Sequence, residues 1–378
     1  MKTLYLHIGS PKTATTSIQM FCEDNKEALL AQGYAYPLLD YIFPHIAQRR
    51  NGHFLVGGFR FKDGKPNKEK DAMAYTAGLD MLHETFKQVD NIILSDENLW
   101  NASRGKKFAF WNKIHEDSQN FGYQIKVIVY LRRQDDYINS WLSQQIKDGW
   151  NTFVEKKLSE FVKAPKALTL DYYSALNKIS AVVGQENVCV RVFERDKFGG
   201  RNKDVYSDFL EAIGVEYTDE FVLGQEENNT SISGNYQEIK RVLNSVGHFK
   251  YLENEKVMGY IFECEKLKDP NEKFNMLSEE ETNAFLSKYQ EGNDAIAKEY
   301  LHIDGPMFHE GIKDLPVWNA ENPYMAEAMI RFFGQVYVDQ EKRISKLEEE
   351  VENLKKFKSA VSCGIKQKIK NKIKNKIK

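Results

Sequence analysis

The chain has 378 residues, of which 42% are hydrophobic, and its formal net charge at pH 7 is −2. No apolar run approaches the roughly 20 residues of a membrane-spanning helix, and Gly9 and Pro11 interrupt the short apolar start, which argues against a signal peptide. The four cysteines are widely spaced, which excludes a disulfide framework or a zinc motif. This composition predicts a cytoplasmic protein with reduced thiols.

Strand-like and helical patterns alternate over roughly the first 215 residues. Residues 40–72 have no clear period and are predicted to be mostly loop. The predicted elements are strands at Leu4–Ile8, Asn91–Leu94, Tyr123–Leu131 and Glu186–Phe193, and helices at Thr15–Ala31, Ala77–Phe86, Asp135–Ile146 and Asp204–Ile213. This alternation predicts an α/β protein with a central, mostly parallel sheet flanked by helices.

The last third of the chain has a helical pattern. Ser278–Glu281, "SEEE", is a capping box that predicts a helix start. Asn322 and Pro323 predict the start of a long last helix that ends near residue 358.

The run "HIGSPKTATTSIQ" at residues 7–19 follows the first predicted strand. A strand, a glycine-containing turn and a helix start form a geometry that binds anions, because free backbone N–H groups and the helix dipole point into the turn. Lys12 adds a charge, and hydroxyl residues follow it. The alternative is an ordinary turn with Ser or Thr caps. The usual nucleoside triphosphate loop does not fit, because Lys12 comes only three residues after Gly9 and Ala14 stands at the second glycine position.

A second candidate phosphate site follows the strand "VIVYL", which leads into "RRQDDYINS". Arg132 at the end of the strand and Ser140 on the next helix are eight residues apart, so both side chains could converge on one phosphate. Arg133 is a neighbouring alternative. An ion pair of Arg132 with Asp135 or Asp136 is the other interpretation.

These two motifs, in this order, resemble the sulfotransferase family that uses 3′-phosphoadenosine 5′-phosphosulfate (PAPS), in its bacterial form. The loop matches the family's 5′-phosphosulfate pattern, with Ala14 in place of the commoner Gly. The resemblance spans about residues 1–300. It includes "VCVRVFERDKF" at 188–198, "SDFLEAIGV" at 207–215 and "ENNTSIS" at 227–233, the last like the segment that closes over the nucleotide.

The resemblance implies a P-loop-like sulfotransferase fold, PAPS as donor with 3′,5′-adenosine bisphosphate as product, and no metal. The cofactor-binding residues that it implies are Ser10, Pro11, Lys12, Thr13, Ala14, Thr15, Thr16, Ser17, Arg132 and Ser140.

Sulfuryl transfer needs a base for the acceptor proton and a cation for the charge that grows on the leaving side. Lys12 is the candidate cation. Glu97, in "IILSDENLW" just past the second predicted strand, is the first candidate base. His53 and His45 are the alternatives, and a plain helix-start role for Glu97 is the other interpretation.

The acceptor is predicted from the loop that runs from His45 to Lys65, within the acceptor-side region 40–75. Its aromatic side chains suit stacking on sugar rings, and Arg49, Arg50 and Arg60 suit acidic sugars or existing sulfates. The sequence therefore favours a saccharide or glycolipid acceptor over a small phenol or a peptide. An acidic body excludes a nucleic-acid partner.

The C-terminal region combines a short heptad pattern with a basic tail. Ile344, Leu347, Val351 and Leu354 follow a and d spacing, which predicts a short coiled coil and a homo-oligomer through residues 340–358. Residues 355–378 contain ten Lys and no acid, so the other residues together carry −12 of the total charge of −2. Isoleucine recurs every four residues from Ile365, which favours a peripheral site on the anionic inner face of a membrane over a solvated tail.

The predicted organisation is a sulfotransferase domain at 1–335, with a helical part at 235–335, a helix at 336–358 and a basic tail at 359–378. Two other functions stay open at this point. One is a P-loop small-molecule kinase, and the other is a membrane-tethered coiled-coil scaffold with a decayed nucleotide site.

Overall fold

A computed structural model of the chain divides into two compact units. The first contains Met1–Gln145, Lys156–Ser231 and Asn275–Val317, and the second contains Ile146–Glu155, Ile232–Phe274 and Trp318–Lys378. The domain bounds predicted from the sequence, at residues 335 and 358, remain a prediction. The structure describes residues 1–40, 43–149, 153–224, 232, 234–246 and 251–376.

The first unit is an α/β fold, as predicted. Its strands are β1 (Thr3–His7), β2 (Tyr34–Ala35), β3 (Asn91–Ser95), β4 (Gln124–Leu131) and β5 (Val188–Val192). Its helices are α1 (Thr15–Asp24), α2 (Lys26–Ala31), α3 (Lys68–Thr85), α4 (Asn98–Ala102), α5 (Ala109–Phe121), α6 (Gln134–Asp148, which ends in the second unit), α7 (Leu158–Phe161), α8 (Tyr172–Val183), α9 (Val205–Ile213), α12 (Glu279–Leu286) and α13 (Gln290–Glu299). The helices α10 (Gly234–Val246) and α11 (Tyr251–Leu267) belong to the second unit.

The five strands form one parallel sheet in the order β2-β3-β1-β4-β5. Every residue of β1 is buried, as expected for a strand that is covered on both faces. One face packs against α1 and α9, and the other packs against α5 and α8. After β1 the chain continues to β2 and β3, which lie on one side of β1, whereas β4 lies on its other side. The carboxyl end of β1 is therefore a switch point, which is where open α/β sheets bind ligands.

Two predicted helices have different bounds in the structure. The helix predicted at Thr15–Ala31 is two helices, because the Asn25 side chain donates to the Phe21 carbonyl at 2.8 Å and pairs with the backbone of Val222. The helix predicted at Ala77–Phe86 starts earlier, at Lys68, where the Asn67 side chain caps it by accepting from the Lys70 N–H. The strand β2 was not predicted, because two residues are too few to show a recognisable strand pattern.

The second unit is helical, and α10 and α11 pack with α14 (Met325–Lys376). Ala328 and Phe332 are buried against its neighbours, and Asp339 accepts a 2.7 Å hydrogen bond from the Tyr260 hydroxyl. The last helix is much longer than predicted, because no Pro interrupts the sequence after Pro323. Among the helices described, none combines the length and apolar character needed to cross a membrane.

Candidate functional site

The loop after β1 continues the pairing of that strand with β4. The Ile8 N–H donates to the Ile128 carbonyl at 3.0 Å, and the Ser10 N–H donates to the Tyr130 carbonyl at 2.8 Å. Lys12 and Ala14 then adopt left-handed backbone, with φ of 70° and 57°. A non-glycine residue pays about 1–2 kcal/mol for this conformation. Left-handed Ala14 followed by helical Thr15 turns successive N–H groups to one side, which is a backbone arrangement that binds anions.

The loop hydroxyls have different surroundings. Thr13 Oγ1 donates to the Ser10 carbonyl at 2.6 Å and Thr15 Oγ1 donates to the same oxygen at 3.3 Å, so both hold the loop in shape. Ser10 Oγ is buried and has no hydrogen-bond partner within the part of the chain that the structure describes. Thr16 and Ser17 are half-buried on the first turn of α1, and Pro11 is half-buried before Lys12.

Lys12 and Arg132, which are far apart in sequence, lie at the same edge of the sheet. Arg132 Nη1 lies 3.5 Å from the Lys12 carbonyl oxygen, and Lys12 Nζ lies 3.4 Å from Gln144 Oε1 on α6. The Tyr172 hydroxyl donates to the Arg132 carbonyl at 2.8 Å, which fixes the backbone where β4 ends. Ser140 is half-buried on α6. The two candidate phosphate motifs thus meet where β1 and β4 end.

An ion pair with Asp135 was the alternative interpretation of Arg132, but the structure forms that pair with Arg133. Its Nε and Nη2 donate to the two oxygens of Asp135 at 2.7 and 2.8 Å, and its Nη1 donates to the Glu310 carbonyl. The Asp135 carboxylate is therefore occupied by Arg133. Burial raises the pKa of Asp136, and the positive charge of Arg132 opposes that rise.

A buried carboxylate cluster follows β3. Asp96 is fully buried and accepts two hydrogen bonds from Arg50, at 2.9 and 3.0 Å, and one from His53 Nδ1 at 2.9 Å. The Asn98 N–H also donates to it, at 2.7 Å. Burial alone would raise the pKa of Asp96, but the His53 hydrogen bond and the Arg50 charge outweigh it and hold that pKa below its usual value.

Glu97 lies beside this cluster and against the loop after β1. Its Oε1 lies 3.0 Å from Arg50 Nη1, and its Oε2 accepts from Gln19 Nε2 at 3.4 Å. Burial and the neighbouring charge of Asp96 raise the pKa of Glu97, against the opposing charge of Arg50. A Cβ at Gly9, where φ is +98°, would lie 3.1 Å from the Glu97 Cβ, so this close approach requires glycine.

The two histidine candidates are in different surroundings. His53 is only 5% exposed and is hydrogen-bonded to Asp96. Its ring also packs edge-on against Phe43, with 4.7 Å between the two ring centroids. His45 is exposed and has left-handed backbone, with φ of 62°. The structure thus brings His53, but not His45, into hydrogen-bonding contact with the carboxylate cluster.

The side chains of His7, Ser95 and Gln19 connect the carboxylate cluster to the end of β1. His7 Nδ1 lies 2.9 Å from Ser95 Oγ, and Gln19 Nε2 donates to the same hydroxyl at 3.2 Å. Burial lowers the pKa of His7 to about 3, so this ring is neutral at neutral pH. Gln19 therefore bridges a neutral pair at the sheet and the carboxylate of Glu97.

Sequence reasoning missed several residues of the site. Asp96 was not among the predicted site residues and Arg50 was predicted only as an acceptor contact, although both are central to the cluster. Gln19 and Gln144 had no sequence signal, because a glutamine on a helix is ordinary. Asp96 did have one, since an acid directly after a parallel strand faces the ligand edge.

The described residues hold no group of three or more His, Cys, Asp or Glu side chains arranged around a metal site. The segment "ENNTSIS" at 227–233 lies outside the described residues, apart from Ile232, which is buried.

Comparisons with known proteins returned few matches. No known family model matches the chain. An uncharacterized protein of Archaeoglobus fulgidus is 28% identical over 179 residues, which are 47% of this chain and 46% of that protein. The match thus spans less than half the length of that relative.

A solved sulfotransferase from Alicyclobacillus acidocaldarius is similar over 65% of this chain and 94% of its own. The sequence identity is 13% and the TM-score is 0.35. At that level of similarity, any functional assignment depends on the residues of this chain.

Proposed function

We propose that the protein is a sulfotransferase that moves a sulfuryl group from PAPS to a hydroxyl or amine of a saccharide or glycolipid. The observation that carries this proposal is the meeting of the Lys12 loop and Arg132 at the ends of the adjacent strands β1 and β4. Two separate cationic positions at one sheet edge fit a ligand with two phosphate-like groups. The motif resemblance supplies the identity of that ligand.

The residues present fit an anionic donor. The left-handed turn at Lys12 and Ala14 directs backbone N–H groups outward, and Ser10 Oγ is a buried donor without a partner among the described residues. Lys12 and the N-terminus of α1 would hold the 5′-phosphosulfate end. Arg132, with Ser140, would hold the 3′-phosphate.

In the reaction, the acceptor oxygen or nitrogen forms a bond to sulfur as the bond from sulfur to the bridging oxygen breaks. The products are the sulfated acceptor and 3′,5′-adenosine bisphosphate, and the acceptor proton passes to a base. Lys12 would stabilise the charge that appears on the leaving phosphate. No covalent bond to the protein is required.

Glu97 is the proposed base. Its side chain is 22% exposed, whereas that of Asp96 is fully buried and already accepts four hydrogen bonds. Burial and the negative charge of Asp96 raise its pKa, which makes it a better proton acceptor than an ordinary surface Glu. Arg50 would orient it, and His53, bound to Asp96, is the alternative base.

The acceptor-side region 40–75 supports a saccharide less directly. Phe61 is 54% exposed and could stack on a sugar ring. Arg60 donates to the Gly64 carbonyl at 2.8 Å, while Arg50 points inward to Asp96 and Glu97. Arg50 therefore acts on the base rather than on an acidic sugar.

The test is ligand-dependent thermal stability. With adenosine 3′,5′-bisphosphate at about 100 times its Kd and no divalent metal, we expect stabilisation of about 2.7 kcal/mol. The matched variant Lys12→Ala should lose most of this gain, while the unliganded protein keeps its melting temperature.

Two outcomes would contradict the proposal. A shift that needs ATP and magnesium, with none from the bisphosphate, would indicate a kinase. No shift with either nucleotide at millimolar concentration would indicate a scaffold with a decayed nucleotide site.

A further inference from the structure

Helix α14 carries a long apolar face that nothing in the described structure covers. In its first part, Ile330, Phe333 and Tyr337 are 72%, 60% and 62% exposed. Ala328 and Phe332 on another face of the same turns are buried within the second unit. The exposed stripe therefore lies beside the face that α14 already uses for folding.

The stripe continues along the part of α14, from residue 340 onward, in which every side chain that the structure describes is exposed. Ile344, Leu347, Val351 and Leu354 are 48–67% exposed, and Val361 and Ile365 are 43% and 54% exposed. With Ile330, Phe333 and Tyr337, they occupy alternating a and d positions of one heptad register, which is the pattern of a coiled-coil seam. The seam spans five heptads, more than twice the length of the pattern at residues 344–354.

Two polar residues interrupt this seam. Gln340 stands at a d position and Lys358 at an a position. Both lie nine residues from position 349, on opposite sides of it. A polar residue within a seam selects the partner and the register, because an apolar partner would leave it unsatisfied.

We propose that this face binds α14 of a second copy of the chain in an antiparallel coiled coil centred on residue 349. In that register Gln340 faces Lys358 of the second copy, and every other layer from 333 to 365 is apolar on both sides. The facing pairs are Leu347 with Val351, Ile344 with Leu354, Tyr337 with Val361, and Phe333 with Ile365.

The flanking charges fit the same register. Arg343 at a g position faces Glu350 at a g position of the second copy, and Glu348 at an e position faces Lys355 at an e position. By symmetry each attraction occurs twice. Phe357, which is 69% exposed at the next g position, faces Val336.

A parallel pairing in register would keep these charge attractions but place Lys358 against Lys358 inside the seam. It would also set the two ten-lysine ends side by side. The antiparallel pairing instead places the two basic ends at opposite ends of the coiled coil. The Lys358 pair and the adjacent basic ends of a parallel dimer would each repel electrostatically, and the antiparallel pairing avoids both repulsions. This inference does not depend on the proposed function.

The first experiment measures the mass of the full-length protein by sedimentation equilibrium. We expect a dimer at micromolar concentration, and a monomer for the variant Leu347→Glu with Val351→Glu, which puts charges into the two central layers. Lys356→Glu changes the charge at an f position outside the seam and should stay dimeric. Circular dichroism of each variant shows whether it folds. A monomeric full-length protein at about 100 µM, where a Kd of 1 µM would leave few free chains, overturns the proposal.

The second experiment tests the orientation by charge reversal. Arg343→Glu alone and Glu350→Arg alone should each raise the dimer Kd on the order of tenfold, and the double variant should restore it. In a parallel coiled coil that double variant would be the weakest of the three. Rescue would instead come from Arg343→Glu with Glu348→Arg, and that result overturns the antiparallel pairing.

Discussion

At the scale of single residues, the site depends on how Glu97 is placed among charges. Asp96 beside it is ionised and fully buried, and Arg50 spans both carboxylates. Asp96 has enough donors to stay charged, whereas for Glu97 the charge of Arg50, a backbone N–H and the long contact with Gln19 do not outweigh burial and the charge of Asp96. The two acids therefore have pKa values shifted in opposite directions, an arrangement that separates a structural carboxylate from a reactive one.

Glu97→Gln tests the role of the base. The amide keeps the shape but cannot take a proton, so turnover should fall by about 10²–10⁴ while bisphosphate affinity stays the same. Turnover is measured as bisphosphate release from PAPS with a panel of saccharides. Near-normal turnover would move the role to His53 or His45, and His53→Ala and His45→Ala would then be compared.

The same variant gives a pH readout that does not need an acceptor. A raised pKa in the folded state means that the folded protein binds the Glu97 proton more tightly than the unfolded chain does. The unfolding free energy of the wild type should therefore fall, relative to Glu97→Gln, as pH rises from about 4.3 through the folded-state pKa. A difference that grows in the opposite direction would show that Arg50 dominates and that Glu97 is stabilised as an anion.

At the scale of elements, the parallel sheet decides which residues meet. β1 and β4 are neighbours, so the loop after one and the arginine after the other lie at the same edge although about 120 residues separate them. Arg133 points away into its pair with Asp135 and the Glu310 carbonyl. Two adjacent arginines thus have different surroundings, which permits a matched comparison.

Arg132→Ala should weaken binding of adenosine 3′,5′-bisphosphate far more than binding of adenosine 5′-phosphosulfate, which lacks the 3′-phosphate. Loss of a charge-assisted contact costs roughly 1.5–3 kcal/mol. Calorimetric titration of both ligands measures the difference. Arg133→Ala, which removes the same charge one residue later, is the control and should show no such selectivity.

An equal loss of affinity for both ligands in Arg132→Ala would mean that Arg132 does not read the 3′ group. A selective loss in Arg133→Ala instead would transfer that role to Arg133.

At the scale of the whole molecule, the charge is divided between an acidic main part and a basic end. The last 24 residues carry ten Lys and no acid, while the rest carries −12. α14 runs helically to Lys376, so the backbone of this end continues the helix. A lysine-rich end of this kind can be attracted to an anionic surface.

Residues 359–378 are predicted to hold the protein on anionic vesicles. Screening acts within about 8 Å at physiological ionic strength, so the lysine contribution should weaken with salt, and the isoleucines should add a salt-resistant part. Truncation after Phe357 should abolish co-sedimentation with phosphatidylserine vesicles yet preserve nucleotide binding.

Replacing Ile369 and Ile373 by Ser should reduce vesicle binding mainly at high salt. If the full-length protein ignores anionic vesicles at low salt, the membrane contact is wrong.

The sequence by itself determined the features that depend on near neighbours. The apolar strand runs and the helical spacing predicted the α/β class, because a strand covered on both faces is apolar along its length and the buried face of a helix recurs about every 3.6 residues. The capping box at Ser278 and Glu281 formed as predicted, since its contacts span three residues. The positions of Lys12 and Arg132 directly after strands also followed from local pattern.

Only the tertiary structure decided the features that depend on residues far apart in the chain. The break at Asn25 needs the backbone of Val222, and the cluster at Asp96 needs Arg50 and His53 from a loop more than 40 residues earlier. The choice of Arg133 over Arg132 as the partner of Asp135 also arises from packing, because either arginine is close enough in sequence. A hydrogen bond between distant segments fixes a side chain only once the sheet has brought those segments together, so no sequence period records it.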